Sequence, residues 1–187
     1  MNPQDILNFW FNELTPANWF AKSDALDTTI RKRFGEVLVA CAAGECWHWR
    51  ADDAAGAGTG GLGRLAEILV LDQFSRNVYR DDARAFAQDP MALALAQESV
   101  ARGVDRAMEP SQRAFLYMPY MHSESLVVHD EAIRLFDQPG LETNYDFEVK
   151  HRDIIVRFGR YPHRNALLGR ASTPSELEFL SQPGSSF

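Results

Sequence analysis

The sequence predicts an all-α fold, and three observations carry that prediction. Apolar side chains recur at helical spacing along nearly the whole chain, no stretch of strict alternation is long enough to defend as a strand, and prolines, glycines and capping residues fall where the periodic runs begin and end. With 187 residues and 45% hydrophobic content, the chain can bury a core without a metal or disulfide staple. The Gly/Ala-rich stretch at 51–61 is the one domain-boundary signal, and the helices on both sides of it carry apolar faces that need each other, so residues 1–187 are expected to form a single domain.

The elements follow in order. Asn2 caps a first helix with Pro3 in its first turn, and Ile6, Leu7, Trp10, Phe11 and Leu14 share one face. A second helix runs from Ser23 to the neighbourhood of Ala43, turns Leu26, Ile30, Phe34, Val37, Leu38 and Cys41 inward, and stops at Gly44. Residues 51–61, ADDAAGAGTGG, have no periodicity and are expected to form a flexible surface loop. That loop is not a phosphate cradle, because no strand precedes its glycines and no Gly-Lys-Ser/Thr follows them. From Leu62 the run LGRLAEILVL is almost wholly apolar, as a central buried helix requires. Asp89 reads as the cap of another helix, with Pro90 at its first position, Ala92, Leu93, Ala96 and Val100 inward, and Gly103 as its stop. Pro110 begins the next, with Phe115 and Met118 inward. Pro119 is expected to kink or break it near Met118, before a new run carrying Leu126, Ile133 and Phe136. A further helix starts near Asn144, places Phe147, His151, Ile154, Ile155 and Phe158 on one face, and ends at Gly159. The last is short, with a Thr173/Glu176 capping box around Pro174, and residues 181–187 form a mobile tail. About seven to eight helices on short loops suit antiparallel helical hairpins, and no internal repeat near ~34 residues is visible.

A net charge of -7 and a pI of about 5.2 argue against nucleic acid or an anionic membrane surface as the main partner. No apolar run approaches the ~18 residues of a bilayer span, and MNPQDILNFW lacks the basic start of a signal peptide. A cytoplasmic protein is therefore expected, with Cys41 and Cys46 as reduced, buried thiols. Cys41, Cys46 and His48 lack a fourth metal ligand. Glu148 with His151, and Glu45 with His48, have the Glu-x-x-His spacing of di-iron bundles, but the second pair falls just after a helix stop and the other carboxylate helices are missing. No metal and no cofactor is expected.

Function is sought where polar residues interrupt apolar stripes. Leu65, Leu69, Asp72 and Arg76 follow in helical steps, so a carboxylate and a guanidinium extend the inward face, with Gln73 and Asn77 beside them. In MPYMHSE, His122 follows the Pro119 position and Glu124 sits near the next helix start; His129 lies seven residues beyond His122. His151 is in register with apolar neighbours, where a histidine is usually a satisfied core residue. After Gly159 comes RYPHRN, a turn that packs Arg160, His163, Arg164 and Asn165 into six residues. If these interruptions converge, the arginines are anion donors, His122, His151 and His163 are acid-base groups, and Asp72 and Glu124 are their carboxylates.

The segments LDQFSRNVYR, RAFAQDPMALALA, MPYMHSE and HRDIIVRFGRYPHRNALLGRAST with the trailing ELEFL resemble, in this order and over nearly the whole chain, the bacterial domain of unknown function family 924. The resemblance implies a tetratricopeptide-like superhelix of cytoplasmic bacterial proteins, with no established activity, cofactor or catalytic residue. Ser75 stands where the family motif usually has proline, and the Gly/Ala loop looks like an insertion.

Three readings follow. In the first, the chain is a binding module whose Asp72, Gln73, Arg76, Asn77, His122, Glu124, His151, Arg160, His163, Arg164 and Asn165 hold a small anionic molecule or acidic peptide. In the second it is a hydrolase or lyase, with His122 or His163 as general base and Glu124 or Asp72 orienting it. In the third the polar clusters only lock helix ends.

Overall fold

The computed structural model describes residues 1–53 and 61–185, and among them it is all-helical. Helix α1 (Pro3–Asn8) opens on a reciprocal cap, in which Asn2 Oδ1 accepts the Asp5 N–H and Asp5 Oδ2 accepts the Asn2 N–H, each at 3.0 Å. It widens into a π-turn over Phe9–Glu13 that brings Phe9 and Trp10 inward, while Phe11 and Leu14 are half-buried. A short α2 (Pro16–Trp19) follows, then the long α3 (Asp24–Ala42), with Ser23 as its cap and Ile30, Phe34, Leu38 and Cys41 buried at steps of four, four and three. Leu26 and Val37 are only partly covered.

The chain next makes the centre of the molecule. Helix α4 (Leu62–Leu69), a π-turn over Val70–Phe74 and α5 (Ser75–Val78) form one rod, buried from Gly63 to Ser75. Gly63 has a specific reason to be glycine: a Cβ there would stand 1.9 Å from the Trp49 carbonyl oxygen. Around the rod pack α3, α6 (Asp89–Ala101) and α7 (Pro110–Met121), with α1 across its first half. The core between them is aromatic. Phe34 lies with its ring centroid 4.8 Å from that of Phe9 and 5.1 Å from Phe74, and Trp10 meets Phe115 edge-on at 5.3 Å, contacts worth ~1 kcal/mol each beyond burial. Helices α8 (Leu126–Phe136) and α9 (Glu142–Phe158) pack in succession beside α7, and α10 (Pro174–Leu180) closes over the end of α9, where Phe158 meets Phe179.

Several expectations are corrected. Pro119 does not break its helix: α7 runs through it to Met121. Proline there removes only one late hydrogen bond, because the helix ends within a turn of it. Phe147 is not inward but 44% exposed, and Leu126 is 40% exposed. The α9 stripe is rotated, so that Glu148 takes the buried place beside His151, Ile154 and Ile155. Asp89 is not the cap of α6 but its first residue, after Gln88. Cys41 and Cys46 are not free thiols but a disulfide, because Gly44, at φ 78°, folds the chain back after α3 and leaves the two Cα atoms 4.9 Å apart. Helices α2 and α5 add to the expected set. Of the loop at 51–61, residues 51–53 end a 3-10 segment, Trp47–Asp53, and Gly61 precedes α4; the remainder lies outside the described residues, as do 186 and 187. Ser185 is buried and its hydroxyl donates to the Leu180 carbonyl at 3.2 Å. No helix of the described residues is long and apolar enough to cross a membrane.

Candidate functional site

The polar interruptions of the sequence meet at one end of the central rod. Asp72 stands in its π-turn, a widened turn that re-aims a side chain and recurs at functional sites. It is 1% exposed, so its carboxylate must be fully partnered to be tolerated. It is: Gln73 Nε2 donates to Oδ2 at 2.6 Å, and Arg76 Nη1 and His122 Nδ1 stand 2.9 and 2.7 Å from Oδ1. Burial alone would push this carboxyl up, but the charge of Arg76, then that of His122 and the hydrogen bonds, outweigh it and hold Asp72 far below the usual carboxylate range.

Arg76 spans two carboxylates. Besides Asp72, its two terminal nitrogens reach Asp89 at 2.8 and 3.0 Å, the bidentate geometry that suits a guanidinium. The first turn of α6 thus serves the site, and Asp89 also receives Arg164 Nη1 at 3.2 Å. The Arg164 guanidinium lies 4.6 Å from the Phe86 ring centre and 4.5 Å from that of Tyr161. Burial and the neighbouring Arg76 pull its pKa below the ordinary arginine value.

His122 caps the end of α7, its own N–H bonded to the Met118 carbonyl at 3.0 Å. Its side chain is 15% exposed, and Nε2 has no hydrogen-bond partner among the described residues. Burial first and Arg76 second depress the imidazole, against the opposing pull of Asp72, so it is neutral at pH 7. The turn after it carries Glu124, which accepts the Tyr161 N–H at 2.7 Å and both terminal nitrogens of Arg170 at 2.6 and 2.9 Å. Those donors hold Glu124 below its ordinary value against the effect of burial.

Tyr161, fully buried, is the hub on which the histidines converge. His163 lies 5.4 Å from its ring centre, His151 5.7 Å and His129 6.2 Å. Burial takes His151 down to about 3, although its Nδ1 donates to the Phe147 carbonyl at 2.7 Å, and burial with the Arg164 charge takes His163 to about 4. His129 and Glu148 form a second imidazole–carboxyl pair at 2.5 Å, both side chains fully buried.

Eight of the eleven expected site residues are therefore brought together: Asp72, Gln73, Arg76, His122, Glu124, His151, His163 and Arg164. Three turn aside. Asn77 faces α3 and donates to Asp27 at 2.8 Å, Arg160 clamps Glu176 at 2.7 and 2.8 Å, and Asn165 reaches Ser172 at 3.0 Å. The sequence reading missed Asp89, Phe86, Tyr161, Arg170 and the partnership of His129 with Glu148. For Glu148 there was a signal, since it stands at i−3 from His151; the Asp89 carboxyl was assigned to capping, which hid its longer-range use. The arginines expected as anion donors are already partnered: Arg76, Arg164 and Arg170 each face a carboxylate, supplied by Asp72, Asp89 and Glu124, so the cluster is close to neutral. Among the described residues no group of three or more His, Cys, Asp or Glu is disposed to hold a metal. Two open surface grooves, of about 230 and 260 Å³, lie elsewhere, the first between α8 and α9 and the second between α9 and α10.

Fold and site together define a class: an all-helical, single-chain unit whose helix ends enclose an Asp–Arg–His network. The chain belongs to the family of bacterial proteins of unknown function DUF924, whose model matches residues 6–184. It is similar to the solved structure of a protein of unknown function, ATU0120 from Agrobacterium tumefaciens, with 37% identity over 95% of this chain and 96% of that one and a TM-score of 0.86. No curated protein matches it.

Proposed function

We propose that the chain is an enzyme of the hydrolase or lyase type, in which the Asp72–His122 pair acts as general base on a small, polar substrate. One observation carries the reading: His122 presents at the edge of the network an Nε2 that has no hydrogen-bond partner among the described residues, while Nδ1–H is held by a buried, ionised carboxylate at 2.7 Å. That arrangement fixes the tautomer with its basic lone pair outward, and Asp72 would stabilise the imidazolium formed when a proton is taken. The depressed pKa keeps the base unprotonated at neutral pH. Glu124 is spoken for by Arg170 and the Tyr161 N–H, which leaves Asp72 as the orienting group. Ser123 Oγ accepts the Ser125 N–H and adjoins His122 in sequence, so water is the fitting nucleophile for hydrolysis.

The pairing of every site arginine with a carboxylate counts against a purely anion-binding module, since an anion would have to displace Asp89 or Asp72. The tetratricopeptide-like arrangement belongs to this reading, supported by α7, α8 and α9 packing in succession on short connections. The test is a panel of ester, amide, phosphoester and β-elimination substrates with wild type, His122→Ala and Asp72→Asn. Turnover falling by ~10²–10⁴ in His122→Ala, at unchanged helicity and with a rate that drops on the acid side, is the expected result. Equal turnover in His122→Ala, or none on any substrate, would sink the proposal.

A further inference from the structure

His122 is flanked by two peptide carbonyls that the helix leaves without internal partners, those of Met121 and Ser123. Neither is left to solvent. The Tyr161 hydroxyl donates to the Met121 oxygen at 2.5 Å, and His129 Nε2–H donates to the Ser123 oxygen at 2.8 Å. The two clamps are joined to each other, since Tyr161 Oη lies 3.1 Å from His129 Nε2.

The protonation of this inner layer is set by its geometry. A carbonyl only accepts, so His129 Nε2 carries a hydrogen. Nδ1 then shares a single proton with Glu148 Oε1 at 2.5 Å. Burial pushes the Glu148 carboxyl up, and its other oxygen has no hydrogen-bond partner among the described residues, which suits a carboxylic acid better than a carboxylate. Glu148 thereby fixes the tautomer of His129 that the Ser123 carbonyl needs. A fully buried imidazole and carboxyl are expensive means of ending a helix that water could end as well. With Tyr161 on the Met121 carbonyl and His129 on the Ser123 carbonyl, the two clamps fall on either side of one residue, His122.

We propose that Tyr161 and His129 are positioning residues for His122, gripping the backbone on either side of it so that its imidazole stays on Asp72 with Nε2 outward. This rests on the general-base reading of His122, but it is tested without turnover. In ¹⁵N-labelled protein the His122 Nδ1–H should give a slowly exchanging, downfield imidazole resonance, assigned by its absence in His122→Gln. Tyr161→Phe keeps the ring and its stacking and removes only the hydroxyl, so the resonance is expected to broaden or vanish by exchange with water. His129→Gln retains a donor near the Nε2 position and is expected to keep the resonance, whereas His129→Leu loses it.

A resonance unchanged in folded Tyr161→Phe and His129→Leu, whatever their loss in melting temperature, would overturn the proposal, as would its absence from the wild type. If Tyr161→Phe does not fold, the comparison of His129→Gln with His129→Leu decides the matter alone. Silence on every substrate, with the resonance behaving as expected, would remove the enzyme reading and leave the positioning role standing.

Discussion

Replacing Asp89 with asparagine tests the network at the residue that joins two of its cations. Asp89 is 15% exposed at its side chain and takes Arg76 in bidentate fashion and Arg164 at 3.2 Å. Arg76 retains Asp72, but Arg164, 8% exposed at its side chain, has no other carboxylate partner among the described residues. Asparagine keeps the shape and removes the charge, leaving two guanidiniums to repel each other in a largely dry site. Breaking a buried pair from one side costs ~3–5 kcal/mol; with partial water access at Asp89, about 3 kcal/mol is expected for Asp89→Asn. Urea unfolding followed by circular dichroism measures it, with the slope unchanged. An exposed pair supplies the control: Glu131→Gln, opposite Arg134, should cost less than about 0.5 kcal/mol. Arg164→Met should be far less damaging in the Asp89→Asn background than in the wild type, because the repulsion disappears with it. A cost below about 1 kcal/mol for Asp89→Asn, or additive effects in the double variant, would refute the idea that these charges form one unit.

Acid should loosen the fold early. His151 and His163 have folded-state values of about 3 and about 4 against 6.5, so the unfolded chain binds more protons below 6.5 and stability falls as pH drops from there towards 4. Each unit is ~1.4 kcal/mol, so His163 alone contributes a loss of about 3 kcal/mol; unfolding free energies flat between pH 7 and 4.5 would contradict this. Gly63→Ala forces a Cβ onto the Trp49 carbonyl and should cost about 3 kcal/mol by thermal melting, whereas an unchanged melting temperature would refute the steric reason for glycine there. Denatured, unreduced protein should react with no thiol reagent, since Cys41 and Cys46 are bonded, and Cys46→Ser should lose about 2 kcal/mol for so short a loop. Two titratable thiols in freshly purified protein would instead restore the reduced pair that a cytosolic location requires.

Much of the architecture was written locally. Caps such as Asn2 with Asp5 or Thr173 with Glu176, and stops such as Gly44, Gly103 and Gly159, act within a few residues, so the helix ends they mark came within one or two positions of those observed, whereas α7, which has no such stop, ran on through Pro119 to Met121. The site was half legible for a related reason. A charge interrupting an apolar stripe must find a partner, which singled out Asp72, Arg76 and His122. Where a residue satisfied a local rule, as Asp89 did at its helix start, its distant role stayed hidden. Periodicity also failed at Phe147, because a whole helix face is ambiguous by one position until its neighbours choose.

The sequence by itself therefore determined the fold class, most helix limits and the identity of the groups that would need partners, since each of these depends on spacing along the chain. The tertiary structure decided who the partners are. Asp72 meets His122 across 50 residues and Asp89 meets Arg164 across 75. Such separations carry no local signal, because the pairing arises only when the π-turn of the central rod, the end of α7 and the turn after α9 are packed against one another and water is removed between them.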